Sequence, residues 1–341
     1  MNQCNVIAID LAKNVFQVCG FSKSNKVLFN KPLKRHKLAQ FLANQPPTQV
    51  AMEACYSSHY WARTFRAMGH DVTLLPAQHV TPFVRGNKSD HNDAIAIAEA
   101  FQRPHIRPVP IKTVAQQDIQ SLHRIRDRLI KQRTAMMNQT RGLLAEYGVI
   151  AQQGHKAFIT LLHDINEQPL LADSVLLKEQ LLEMIDEYHR YTQRIDHIAH
   201  QLEGIAKQNP LCQLLLTIPG IGKINSTLLY SAIGDGSQFA NARELAVWLG
   251  LTPKQYSSGN SFSSGGITKR GNRHLRKQLV HGARAALNSC KNKSDRVSQW
   301  ANALVARRGY NKACVAMAAR IARTSWILLN RNEAYRISAS V

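Results

Sequence analysis

The chain has 341 residues, 44% hydrophobic and 19% charged, a balance that supports a sizeable core and two or three domains. Against 22 Asp+Glu stand 44 Lys+Arg, a net charge of +22 and an isoelectric point near 10.1, so a polyanion is expected as partner and nucleic acid outranks a membrane. No apolar run approaches the ~18 residues needed to span a bilayer, and no basic segment followed by an apolar core marks a secretory signal.

In chain order, Val6-Ile-Ala-Ile-Asp10 is a short β-branched run that stops on a carboxylate, the pattern of a buried strand. Asn14–Gly20 and Lys26–Phe29 predict two further strands, and Leu33–Leu42 a helix. Thr48–Glu53 is a strand that again ends on a carboxylate, Ser58–Met68 a helix, Asp71–Leu75 a strand and Ala77–Val84 helical. After the polar loop Arg85–Ser89 comes an Ala-rich helix, Asp90–Phe101, with acids in its first turn. Residues 1–103 therefore predict an α/β domain with a mixed sheet. Three prolines in Arg103–Pro110 predict a linker over 104–110.

Apolar residues three and four apart predict long helices over Val114–Tyr147 and Val175–Ile205, a helical hairpin or coiled-coil arm within residues 111–208 whose ordinary role is to pack or dimerise. Leu214–Lys223 with the helix Asn225–Ile233 has the form of a helix-hairpin-helix. Its Pro219-Gly-Ile-Gly222 turn either holds a phosphate on free backbone N–H groups or simply joins two helices with glycine caps. After a helix at Ala242–Leu249 comes a long Ser/Gly loop, Thr252–Gly266, and then helices over Gly271–Asn288, Lys293–Arg307 and Asn311–Asn330. Residues 209–330 thus read as an all-α C-terminal domain followed by a tail, 331–341. Basic charge concentrates there: residues 251–341 hold 17 Lys+Arg and two acids, whereas the first hundred hold 11 and six.

Two groups of residues carry candidate chemistry. Asp10 and Glu53 end predicted strands, and Asp90 and Asp93 share one face of a helix start. Gathered carboxylates repel unless a hard divalent cation lies between them, and such cations serve phosphoryl transfer. The structural alternative is that Asp90 caps its helix, Asp93 favours the helix dipole and Glu53 pairs with a lysine. In the Ser/Gly loop, Ser257, Ser258, Ser261, Ser263 and Ser264 stand near Lys269, Arg270, Arg273 and Arg276, so the loop either presents a nucleophile or grips phosphates, and spacing alone selects no serine. The six cysteines include no C-x-x-C pair and the 14 histidines no His/Cys cluster, which argues against a zinc ribbon or disulfide scaffold and for a reduced cytoplasm.

Seven short motifs occur in order. They are Ile9-Asp-Leu-Ala-Lys13, Met52-Glu-Ala54, Asn87-Lys-Ser-Asp-His-Asn-Asp-Ala94, Ile218-Pro-Gly-Ile-Gly222, Leu249-Gly-Leu-Thr-Pro253, Tyr256-Ser-Ser-Gly259 and Ile267-Thr-Lys-Arg-Gly-Asn-Arg-His-Leu-Arg276. Each is weak alone; together, over residues 4 to 330, they resemble the DEDD transposases of the insertion-sequence family numbered one hundred and ten, also described as bridge-RNA-guided recombinases. The resemblance implies an RNase-H/RuvC-like first domain with Asp10, Glu53, Asp90 and Asp93 as ligands of Mg²⁺, or Mn²⁺ in its place. It implies a C-terminal domain whose serine before glycine attacks DNA. That position falls on Ser258, with Ser257 beside it as the neighbouring alternative. Donor and target DNA, a guide RNA from the element, a homo-oligomer (dimer or tetramer) and a bacterial, nucleoid-associated location are implied with it, and no membrane. Lys88, Gly220, Gly222, Lys223, Lys269, Arg270, Asn272, Arg273, Arg276 and Lys277 are the expected nucleic-acid contacts. The alternative is a metal-dependent RuvC-like endonuclease or junction resolvase in which water attacks and the serine segment only grips.

Overall fold

The structure, a computed structural model, describes residues 4–87, 89–259 and 261–336. The chain divides into two compact units, Met1–Thr113 with Gly236–Glu244, and Val114–Asp235 with Leu245–Val341.

The first unit is built on one sheet. Its strands are β1 (Cys4–Asp10), β2 (Val15–Ser22), β3 (Val27–Lys34), β4 (Gln49–Glu53) and β5 (Asp71–Leu75), and its helices α1 (Arg35–Ala43), α2 (Ser58–Ala67), α3 (Ala77–Val80) and α4 (Asp90–Phe101). The strand order is β3-β2-β1-β4-β5. The first three strands pair antiparallel, while β4 lies parallel to β1 and to β5, so the sheet is mixed as expected. Alternation along each strand sorts side chains to opposite faces. Ile7, Ile9, Val50 and Met52 pack with Leu38, Leu42, Trp61 and Phe65 of α1 and α2. Val6, Ala8 and Ala51 pack with Ala94, Ile97 and Ala98 of α4, where small side chains let the helix lie close to the sheet. Fully burying a residue the size of Ile9 or Phe65 contributes about 1.5–3 kcal/mol, so these strands are fixed in place.

The proline-rich stretch Arg103–Pro110 is laid against this unit. Val109 N donates to Leu74 O at 2.7 Å, and Ile106 is buried in the layer between sheet and α4. Prolines stiffen the segment without preventing the other residues from pairing with the sheet edge.

The second unit is mainly helical. It contains α5 (Val114–Ala145), α6 (His155–His163), α7 (Val175–Gln208), α8 (Pro210–Leu216), α9 (Lys223–Ile233), the end of α10 (Ala242–Trp248), α11 (Arg273–Cys290), α12 (Arg296–Arg308) and α13 (Tyr310–Arg331). The long α5 and α7 run antiparallel. Near the start of α5, Ile119 and Leu129 meet Ile195, Ile198 and Leu202; farther along, Met136 and Met137 meet Tyr188, and Leu144 meets Leu181. Among the described residues no helix is long and apolar enough to cross a membrane.

One expectation for this unit is corrected. The segment expected as a Ser/Gly loop in an all-α domain forms a hairpin of β6 (Pro253–Ser258) and β7 (Ser261–Ile267), registered by Tyr256↔Ser263, Ser257↔Phe262 and Ser258↔Ser261. Neither face of it is buried, so there is no apolar alternation for a periodicity reading to find. The signal was the turn instead: the sequence has Gly-Asn between Ser258 and Ser261, a dipeptide typical of tight hairpins, and Gly259 has the positive φ, +54°, that such turns require.

Candidate functional site

In the first unit the carboxylates meet at one end of the sheet. Ile9 is in register with Met52, so the next residues, Asp10 and Glu53, lie side by side where the parallel strands β1 and β4 end. By alternation both share the face of Ala8 and Ala51, the face covered by α4. The start of α4 is fixed by Ser89, whose Oγ accepts from Asn92 N at 3.3 Å, and by Asn92, whose side chain donates to Asn87 O at 2.8 Å. Asp90 and Asp93, three apart, project from that first turn.

One carboxylate oxygen from each of Asp10, Asp90 and Asp93 lies within 4.8 Å of the other two. Opposite vertices of a Mg²⁺ octahedron are about 4.2 Å apart, from bonds of about 2.1 Å, so a small side-chain closure brings these oxygens onto one ion. Hard oxygen donors suit Mg²⁺ or Mn²⁺ and disfavour soft ions. Glu53 stands outside this closest trio. Its nearness shows in Cys55, whose thiol is pushed up to about 11 by burial first and then by the charges of Glu53 and Asp10. Cys55 had no role in the sequence reading; its position two residues beyond a strand-end acid was the available signal.

In the second unit, strand alternation separates the two adjacent serines. Ser258 shares a face of the hairpin with Tyr256 and Ser261, and its Oγ lies 3.2 Å from Ser261 Oγ; Ser257 shares the opposite face with Phe262. Tyr256 and Phe262 are well exposed. The expected nucleic-acid contacts divide into two sets. Lys269, Arg270 and Arg273 are exposed at the foot of the hairpin. The others have partners within the unit. Asn272 caps α11 by accepting from Leu275 N at 3.0 Å, and Arg276 Nη1 donates to Leu249 O and Arg270 O. Lys223 pairs with Glu203 at 2.8 Å, and Lys277 lies 4.0 Å from Asp127, which His274 also approaches at 3.4 Å. Gly222 precedes α9 as its cap residue, and Gly220, at φ +92°, lies so close to α11 that an added Cβ would sit 2.6 Å from Gly282 O. Close packing therefore accounts for Gly220. Lys88 lies outside the described residues.

Two family profiles match the chain. Residues 7–149 match a transposase family marked by a DEDD acid set, and residues 212–299 match the transposase family IS116/IS110/IS902. Over 339 residues, 99% of this chain and 93% of the relative, it is 43% identical to the transposase for insertion sequence element IS1111A of Coxiella burnetii. The chain belongs to the IS110 transposase family. A probable family 20 transposase of Pseudomonas aeruginosa is also 43% identical, covering 97% of this chain and 98% of its own. A pilin gene-inverting protein of Moraxella bovis is 25% identical over 80% of each chain. As an IS110-family transposase the protein acts on DNA, cleaving strands and transferring them, and the family implies use of a divalent metal. The acid cluster of the first unit has the donor chemistry for that metal.

Proposed function

We propose that this transposase recombines DNA through a covalent serine step. Ser258 is the nucleophile, and Asp10, Asp90 and Asp93, with Glu53 beside them, form a Mg²⁺ site in an RNase-H/RuvC-like domain. The observation that carries the reading is the pairing of two features: three carboxylate oxygens gathered at the strand ends, and serines displayed on an exposed hairpin flanked by Lys269, Arg270 and Arg273. The strand order, antiparallel through β1–β3 and parallel through β1, β4 and β5, supports the RNase-H-like assignment of the first unit. The antiparallel α5/α7 pair supports an arm between that domain and the serine-bearing domain, in the division 1–103, 111–208 and 209–330.

In the reaction, Ser258 Oγ forms an ester bond to a DNA phosphorus as the bond to the deoxyribose oxygen breaks. The serine proton passes to a base in solvent and the released sugar oxygen gains one, so no water is consumed. Attack on the phosphoserine by a sugar hydroxyl of a second duplex frees the serine and joins the strands. A divalent cation, when bound, neutralises charge on the phosphate under attack. Asp10, Asp90 and Asp93 hold that charge in place, and Lys269, Arg270 and Arg273 hold flanking phosphates. The Gly220–Gly222 turn is a helix-hairpin-helix contact to the same backbone. A structured guide RNA of the element supplies the base pairing, so the protein reads shape and backbone, and the +22 charge suits a chain that holds two duplexes and an RNA. The working form is a dimer or tetramer on the bacterial nucleoid.

The test incubates the protein with element-end DNA, the element's non-coding RNA and Mg²⁺, then denatures and looks for protein-linked DNA. An adduct is expected in the wild type and in Ser257→Ala. It is absent in Ser258→Ala, which still binds DNA. An adduct that survives in Ser258→Ala overturns the assignment, and strand cleavage without any adduct favours the water-attack endonuclease.

A further inference from the structure

The serine hairpin raises a mechanical question. A two-stranded hairpin is marginal by itself in water, and here every residue from Pro253 to Ser258 and from Ser261 to Gly266 is exposed. Its direction must therefore be set at its base. Four interactions converge there. Gly250, at φ +66°, leaves no room for a Cβ against the Arg270 backbone, and Gly271, at φ +73°, leaves none against Trp248 O. Lys269, held at φ +57° although it is not glycine, donates its N–H to Gly250 O at 3.1 Å, and Thr268 N donates to Thr252 O at 2.9 Å. Strain of that kind persists only where the surroundings over-determine the backbone.

Arg276 completes the base. Its Nη1 donates to Leu249 O at 2.8 Å and to Arg270 O at 2.7 Å. One carbonyl lies on the chain entering the hairpin and the other on the chain leaving it. Arg276 stands in the first turn of α11, which Asn272 caps and which Leu275 and Leu279 anchor in the core. We propose that Arg276 is a positioning residue: its guanidinium ties both roots of the serine hairpin to α11 and so aims the nucleophile, in place of the phosphate contact that its basic motif predicts. The proposal rests on the reading of Ser258 as nucleophile only for its catalytic consequence; the clamp itself does not.

Lysine keeps the charge, but its ammonium sits on a shorter, flexible stem and lacks the fixed plane that directs the two N–H groups of Nη1 at the two carbonyls. The experiment compares wild type, Arg276→Lys and Arg276→Ala in the full chain. Three quantities are read: amide exchange of residues 253–267 without nucleic acid, DNA affinity against salt, and the single-turnover rate of adduct formation. In both variants the hairpin is expected to exchange faster, while DNA affinity and its salt slope stay at wild type. The adduct rate falls on the order of ten- to a hundredfold, the scale of an ångström-sized misplacement. Methylguanidinium added to Arg276→Ala is expected to restore part of that rate and to slow hairpin exchange again. A salt slope lowered by about 0.9, with hairpin exchange unchanged, is the signature of a lost phosphate contact and overturns the proposal. An unchanged adduct rate overturns it as well. If the wild type forms no adduct, the serine reading fails, and the exchange measurement, which needs no DNA, still decides whether Arg276 holds the hairpin. If Arg276→Ala does not fold, Arg276→Lys carries the comparison.

Discussion

The carboxylates of the first unit end strands whose preceding residues, Ile7 to Ile9 and Val50 to Met52, are fully buried. The serines of the second unit ride on a hairpin with no buried residue, secured by backbone approaches and one guanidinium at its foot. A charge cluster that must hold its geometry against mutual repulsion is set on rigid strands and a capped helix. The proposed nucleophile, which has to reach a bulky polyanion, stands on an exposed ribbon, the shape that DNA's major groove admits. The difference teaches where each centre is vulnerable: the acids to loss of charge, the hairpin to loss of its anchorage.

The largest effect is expected from removing charge without disturbing the fold. Asp10→Asn keeps the size of a half-buried strand-end residue and removes one third of the closest carboxylate set. Strand cleavage should fall on the order of a hundred- to a thousandfold, as when a single electrostatic stabiliser is removed from a reacting group. Thermal unfolding should stay near that of wild type. Chelation with EDTA should give the same loss, reversed by Mg²⁺. Wild-type cleavage rates in Asp10→Asn would remove the acids from the chemistry and leave the hairpin as the sole centre.

A smaller, structural effect is expected at the hairpin foot. Gly271→Ala places a Cβ against Trp248 O at a backbone angle that L residues rarely adopt. The cost should exceed about 1 kcal/mol, read as a lower denaturation midpoint together with protease cleavage within 253–267. Gly266→Ala, in the hairpin itself with no positive φ and nothing within 4 Å of the added Cβ, serves as the control. If both variants melt alike, the foot is not the anchorage described.

A third effect is graded with pH and concerns both units. His59 is pushed down to about 4 by burial, then by Lys112 and Arg63, while its Nδ1 accepts from Lys112 N at 3.3 Å. His123 is pushed down to about 3 by burial, then by His274 and Arg126, and its Nε2 lies 3.0 Å from Thr227 Oγ1. Both stay neutral in the folded protein to well below 6.5, where the unfolded chain takes up protons. The unfolded state therefore binds more protons between about 6.5 and 4, so the contribution of these two rings to stability is level above pH 6.5 and falls as the pH drops below it. Melting at pH 7.5, 5.5 and 4.5 checks the sign, and His123→Gln should flatten the fall. Stability that rises on acidification would contradict the burial of both rings.

The sequence by itself determined a good part of this protein. Apolar runs ending on Asp10 and Glu53, and a Ser-Asp-x-x-Asp helix start, were legible because a buried strand and a capped helix each leave a local pattern. The motif order was enough for the family. Helical periodicity gave α5 and α7 to within a few residues, because each buries a stripe along its whole length. Tertiary structure decided the rest. No spacing in the chain shows that oxygens of Asp10, Asp90 and Asp93 gather within 4.8 Å of one another, since that follows from the packing of α4 on the sheet through its alanine face. No composition separates Ser257 from Ser258, since the faces exist only once β6 pairs with β7. Arg276 and Arg273 read alike in the sequence, as two arginines of one basic motif. Only the folded backbone places two carbonyls, 21 residues apart in the chain at Leu249 and Arg270, within reach of one of them. Charge is written in the sequence, but what a charge faces depends on chain segments that folding alone brings together.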